Sequence, residues 1–186
     1  MTQYFTRNLR LKNLTVQALI DVSGASAGQI KFPATQNASS DVNTLDDYEE
    51  FTWTPVLTCV TVGNLSVTHS AQIGDGTKIG KETRLSFFLS TSAFTHTTAG
   101  GNVRVTGSPF TTETIAGGYI WVGALEFGGI TKANYTNFNT RMGSATNIIN
   151  LGASGSAQAR TTVAITDMPT GGTPSLVGAL NFTATD

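Results

Sequence analysis

The sequence predicts an all-β protein that folds as an antiparallel β-sandwich of two sheets. About one residue in six is Thr, whose β-branched side chain suits a strand and whose hydroxyl keeps a solvent-facing row polar. Only 12% of the residues are charged, against 39% hydrophobic, which favours sheets with neutral polar faces. About eight short segments alternate apolar and polar residues between Gly, Pro and Asn turns. A chain of 186 residues is long enough to bury one core.

Residues 1–27 are predicted to form short N-terminal strands. Apolar side chains recur at every second position from Leu14 to Val22, which is the spacing of a strand. A segment this small has no core of its own, so its apolar side needs a partner chain or a larger particle. We therefore interpret residues 1–27 as an attachment or oligomerisation segment.

Residues 28–50 are predicted to be an extended connector. Pro33 cannot donate to a regular ladder, and residues 37–40 are turn formers. Because a run of this length without regular structure is uncommon inside a compact domain, the pattern favours a segment that wraps against something else.

Residues 51–186 are predicted to form the sandwich. Its strands are expected at residues 51–57, 65–68, 84–89, 103–107, 119–127, 147–151, 159–165 and 175–182. Trp53, Trp121 and Cys59 are expected in the core. The glycines of residues 74–80 have the wrong spacing for a dinucleotide-binding loop, and we expect a tight turn between strands there.

The residue types disfavour catalysis and several kinds of partner. The chain contains only His69 and His96 as histidines, both expected at the surface, and no nucleophile elbow accompanies them. The acids of residues 46–50 are expected to cap a turn or to pair with a neighbouring chain. We therefore expect no enzymatic activity, no metal and no cofactor. A net charge of −1 without a basic face also argues against nucleic-acid binding.

Neither secretion nor membrane insertion is expected. Asn13, Gln17 and Asp21 interrupt the one candidate signal sequence. No apolar stretch in the sequence is long enough to span a bilayer.

Several segments resemble phage tail fibre and tailspike proteins. The segments at residues 28–37 (GQIKFPATQN), 41–50 (DVNTLDDYEE) and 52–58 (TWTPVLT) resemble a connector that joins a stalk or β-helix to a C-terminal β-sandwich. Those at residues 77–80 (TKIG), 105–110 (VTGSPF) and 165–169 (ITDMP) are similar to landmarks of that sandwich. The chain departs from the pattern at Phe51, where the family usually has Gly, and at Gly76, where it usually has Tyr.

The resemblance implies a jelly-roll-like fold and a homotrimer packed around a threefold axis. It further implies a virion protein, made in the bacterial host cytoplasm, that joins other phage virion proteins through residues 1–27. The first functional hypothesis is a tail-fibre-like receptor-binding adhesin that attaches to the host surface, with glycans as the expected receptor. The alternative is a head fibre, capsid decoration or collar protein that uses the same sandwich for trimer assembly alone.

One polar stretch carries residue types suited to a glycan. Glycan recognition needs an exposed aromatic ring beside neutral hydrogen-bonding side chains. The candidate residues, predicted to lie in a loop, are Tyr135, Asn137, Phe138, Asn139 and Arg141. The alternative interpretation is an aromatic residue that fastens this loop to the core.

Overall fold

The computed structural model describes residues 30, 32, 43–45, 47–118 and 120–185. The chain divides into two compact units, Met1–Phe32 and Pro33–Asp186, and the fold below is that of the second. The short N-terminal strands predicted for residues 1–27 and most of the connector predicted for residues 28–50 lie outside the described residues. Their boundaries stay predictions.

The described part of the chain is all-β. It forms ten strands and one turn of 3-10 helix, Ile165–Asp167, and every strand pairing is antiparallel. The strands are β1 Tyr48–Trp53, β2 Val56–Thr61, β3 Ser66–Ile79, β4 Glu82–Thr95, β5 Gly100–Thr106, β6 Ile120–Gly128, β7 Asn137–Gly143, β8 Ile149–Gly155, β9 Gln158–Thr162 and β10 Ser175–Thr183. The predicted fold class, a jelly-roll-like antiparallel β-sandwich, is confirmed.

The strands run in the order β1-β3-β4-β10-β6-β7-β8-β5-β2, with β9 beside β8. Strand β6 belongs to both halves of this curled sheet. Its first residues, from Ile120 to Ala124, pair with β7, while Leu125 to Gly128 pair with β10. Side chains that point to the inside of the curl therefore come from both halves and form one core.

Apolar residues at every second position of the strands build that core. On β4 the inward residues Leu85, Phe87 and Leu89 are each at most 4% exposed, and Leu176 and Leu180 of β10 face them. Burying a side chain of this kind contributes about 1.5–3 kcal/mol. The other buried core residues include Val103, Val105, Ile149, Leu151 and the predicted Trp53, Trp121 and Cys59, so those three core predictions are confirmed.

The turn predicted for residues 74–80 was wrong, because this stretch lies mostly within the long strand β3. Its glycines lie beneath aromatic rings. A Cβ placed on Gly74 would lie 2.6 Å from the ring of Trp53, and one placed on Gly76 would collide with Phe51. The chain reverses only at Gly80, whose φ is +54°, between the paired residues Ile79 and Glu82.

The two departures from the tailspike pattern lie opposite each other. Phe51 of β1 is the direct cross-strand partner of Gly76 of β3. The family's usual residues would give a Gly opposite a Tyr, whereas this chain has a Phe opposite a Gly. In this chain the Phe51 ring lies over Gly76, where a Cβ would collide with it, so the two departures concern one contact between β1 and β3.

A buried ion pair joins two of the segments that carry the resemblance. Lys78 Nζ lies 2.6 Å from Asp47 Oδ2, with the two side chains 3% and 8% exposed. The Gly80 amide also donates to the Asp47 carbonyl at 3.1 Å. The expectation that these acids cap a turn or pair with a neighbouring chain is therefore wrong for Asp47, which pairs within its own chain.

Candidate functional site

Four of the five candidate glycan residues do not lie in a loop. Tyr135 lies in the turn before β7, and the others are part of β7 itself. Because successive side chains of a strand point to opposite faces of the sheet, the four residues of β7 are divided between its two faces. Phe138 points to the core side, while Asn137, Asn139 and Arg141 point outwards. The loop prediction was wrong for the four residues of β7, because polar side chains on the outer face of a strand have the composition of a loop.

The two aromatic residues of this group are held against the fold. The ring of Phe138 packs edge-on against Phe127, with centroids 4.5 Å apart. The Tyr135 hydroxyl donates to the Ala159 carbonyl at 3.1 Å, and Lys132 Nζ lies 5.4 Å from the centre of its ring. Tyr135 thus fastens the turn before β7 to the start of β9, as in the alternative interpretation of this stretch.

Of these outward residues, Arg141 lines a groove across β5, β8 and β7, which we call the arginine groove. It encloses about 320 Å³ and is lined by Asn102, Arg104, Ile120, Arg141, Gly143, Asn150 and Thr162. The strand register places Arg104 opposite Asn150, and Asn150 opposite Arg141. The two arginines therefore lie on either side of one asparagine, in a single row across three strands.

Gly152 shapes one end of the arginine groove. It is the cross-strand neighbour of Asn139, and a Cβ at this position would collide with Arg141 Cδ and with Asn139 Oδ1. Because Gly152 has no side chain, Arg141 can lie across β8 and donate from Nη1 to the Thr161 carbonyl on β9, at 3.4 Å. The glycine thus sets the position of the guanidinium.

The arginine groove holds positive charge without a matching carboxylate. Partial burial lowers the pKa of Arg141, and the nearby Arg160 lowers it further. Among the described residues, Lys78, Lys81 and Lys132 form ion pairs, whereas Arg104, Arg141 and Arg160 form none. The Nε atoms of both groove arginines, together with Asn139 Oδ1, are enclosed without a hydrogen-bond partner in the described part of the chain.

Sequence reasoning missed most of the arginine groove. Arg104 lies between the buried Val103 and Val105, and Asn150 lies between the buried Ile149 and Leu151. This alternation indicates an outward direction for each polar side chain. The register that brings the two strands together depends on pairing between distant segments, which the local pattern does not contain.

A second cleft lies on the outer face of the other half of the sheet, beside β1, β3 and β4. It encloses about 630 Å³, and its lining includes Glu50, Asp75 and Arg84. The Tyr48 hydroxyl donates a hydrogen bond to Glu50, and this hydrogen bond raises the pKa of Tyr48. The Ser86 hydroxyl donates to Asp75. Local sequence patterns do not indicate that Asp75 shares a cleft with an acid of residues 46–50.

The histidines and the cysteine lie apart from both clefts. His69 and His96 are half-buried rather than fully at the surface, and His96 packs edge-on against Phe94. Cys59 is 3% exposed, and its thiol donates to the Thr61 carbonyl. Over residues 47–118 and 120–185, no three His, Cys, Asp or Glu side chains come together as a metal site would require.

In the described portion of the chain, no helix is long and apolar enough to cross a membrane.

Comparison with known proteins finds a likeness in fold. The chain is similar to the crystal structure of the Dettilon tailspike protein (gp208), with a TM-score of 0.51 and 13% sequence identity. The likeness covers 73% of this chain but only 24% of the tailspike chain, so this chain spans about a quarter of that protein's length. No protein-family model and no curated protein matches the sequence. The comparison therefore shows that this β-sandwich has a fold found in a phage tailspike protein.

Proposed function

We propose that this chain is a phage tail-fibre-like adhesin that attaches a virion to glycans on the host surface. The observation that carries the proposal is the fold likeness to a tailspike protein over 73% of the chain. The sequence segments between residues 28 and 169 support it independently, because they resemble tail fibre and tailspike proteins without reference to the fold. The described structure adds that Lys78 and Asp47, which come from two of these segments, meet in a buried ion pair.

The adhesin is proposed to act as a homotrimer that joins other virion proteins through residues 1–27. An apolar row on the outer face supports self-association. Ile73, Phe88 and Val177 are cross-strand neighbours on β3, β4 and β10, and Ile73 and Val177 are 60% and 46% exposed. An apolar surface of this kind is often covered by a partner.

The proposed adhesin binds and does not cleave. The carboxylates that share the larger cleft, those of Glu50 and Asp75, belong to exposed residues and each accepts a hydroxyl hydrogen bond. Both carboxylates thus lie open to solvent, whereas catalysis on a glycosidic bond uses a site that excludes water around the reacting groups. Incubation with host polysaccharide should therefore release no reducing ends, and their release would contradict this part of the proposal.

Electron microscopy of intact particles tests the proposal. Gold-labelled antibodies against the purified chain should mark the tail or its fibres. Label on the head would instead support the capsid decoration alternative. Particles without any label would refute both assignments to the virion.

A further inference from the structure

We propose that the arginine groove binds an acidic saccharide, whose anionic group is held by Arg104 and Arg141 while Asn150 and Asn102 bind its hydroxyls. This inference rests on the proposed adhesin function and names the class of glycan and the surface that binds it. It differs from the sequence hypothesis, in which a loop with the aromatic ring of Tyr135 was the candidate.

The arginine groove holds two buried guanidinium donors without a partner. Arg141 uses Nη1 to reach the Thr161 carbonyl, whereas its Nε, like that of Arg104, is enclosed without a partner in the described residues. A buried donor without a partner carries a free-energy cost that a hydrogen-bonding ligand removes. Rotation of either side chain that turns its Nε–H and Nη2–H edge towards the groove would let that edge donate to a carboxylate or phosphate in a bidentate manner.

The register sets a suitable spacing between the two arginines. Arg104 and Arg141 flank Asn150 on strands two places apart, so their backbones are separated by about 10 Å. Guanidinium groups on flexible side chains can close on one anionic substituent from both sides across that span. The amide of Asn150 lies between them and offers both a donor and an acceptor, as sugar hydroxyls require.

Charge and shape favour a saccharide over a general polyanion. Arg160 adds a third cation near Arg141, and none of the described residues that line the groove is a carboxylate. The groove itself is lined by two arginines, Arg104 and Arg141, in a chain of net charge −1, whereas nucleic-acid binding needs a longer basic track. Ile120 in the groove, and Val122 opposite Arg141 and 55% exposed, provide aliphatic surface for the C–H face of a sugar ring.

The test uses surface polysaccharide purified from the host strain, in native, carboxyl-reduced and dephosphorylated forms. The full-length chain should bind the native polymer and lose at least about tenfold in affinity for one treated form, because charge-assisted hydrogen bonds are lost. Loss with the carboxyl-reduced form assigns a carboxylate, and loss with the dephosphorylated form assigns a phosphate. Equal binding to all three forms would overturn the inference.

Four variants locate the site. Arg104→Gln and Arg141→Gln should each weaken binding at least about tenfold, and Gly152→Ala should weaken it by displacing Arg141 while keeping both charges. Arg84→Gln, which removes an equal charge from the other cleft, is the matched control and should bind as the unaltered chain does. A urea unfolding midpoint equal to that of the unaltered chain shows that a variant is folded.

The outcomes separate this inference from the proposed function. If the Arg104 and Arg141 variants bind host cells as well as the unaltered chain does, the arginine groove is not the site, while the adhesin function stands. If the unaltered chain does not bind host cells, the adhesin function itself fails. Binding of single-stranded DNA as tightly as the native polysaccharide would overturn the saccharide assignment in favour of a general anion site.

Discussion

Breaking the buried ion pair between Lys78 and Asp47 should destabilise the sandwich strongly. At the 2.6 Å separation of Nζ and Oδ2, Coulomb's law with an effective dielectric constant of about 20 gives roughly 6 kcal/mol of attraction. Removing the two ions from water costs several kcal/mol each, so the pair adds little net stability. Replacing one partner, as in Lys78→Met, leaves the other charge buried and should lower the free energy of unfolding by about 3–5 kcal/mol.

Replacing both partners should restore most of that loss. The variant Lys78→Met with Asp47→Leu leaves no buried charge, and we expect its stability to lie within about 2 kcal/mol of the unaltered chain. Urea unfolding followed by tryptophan fluorescence measures each free energy, because Trp53 and Trp121 are both buried. If Lys78→Met lowers the free energy of unfolding by less than about 1 kcal/mol, the value for a solvated surface pair, the reasoning is refuted.

Three further predictions concern packing and protonation. Burial lowers the pKa of His69 below its ordinary value of 6.5. As the pH falls from 6.5 towards the lowered pKa, the unfolded state binds more protons than the folded state does, and stability is lost. The melting temperature should therefore fall more on acidification for the unaltered chain than for His69→Gln, and equal falls would contradict this. Gly178→Ala places a Cβ against Phe87 and should cost about 1–3 kcal/mol, whereas the control Gly143→Ala, with open space around it, should be nearly neutral in urea unfolding. Cys59, 3% exposed, should react with a thiol reagent only after denaturation, and rapid labelling of the native chain would contradict its buried position.

The fold class was predictable because alternation and turn residues are local properties. Strands such as β5 and β10 place every second residue in the core, and the sequence shows that period directly. The position of a turn was harder to predict. Gly74 and Gly76 looked like turn residues, but they lie in a strand beneath Trp53 and Phe51, a long-range contact that the local sequence does not reveal.

The candidate site was predictable only in part. Arg141 was identified from its polar neighbours, and it does line a groove. Its partners Arg104 and Asn150 come from strands far away in the sequence, and only the register of β5, β8 and β7 brings them together. The polar composition around Tyr135 indicated a binding loop, because an outer strand face and a loop use the same residue types.

The departures at Phe51 and Gly76 illustrate how the structure explains what the sequence leaves open. Taken singly, each weakens the resemblance to tail fibre and tailspike proteins. In the fold they are direct cross-strand partners, and the Phe51 ring lies over Gly76. The two departures therefore belong to a single contact between β1 and β3.

Competition for host cells tests the central claim most directly. Host bacteria are incubated with the purified full-length chain, and adsorption of the phage that carries it is then measured against chain concentration. An adhesin predicts a saturable loss of adsorption as its receptors become occupied. Adsorption that stays unchanged at concentrations that saturate the cells with this chain would contradict the claim.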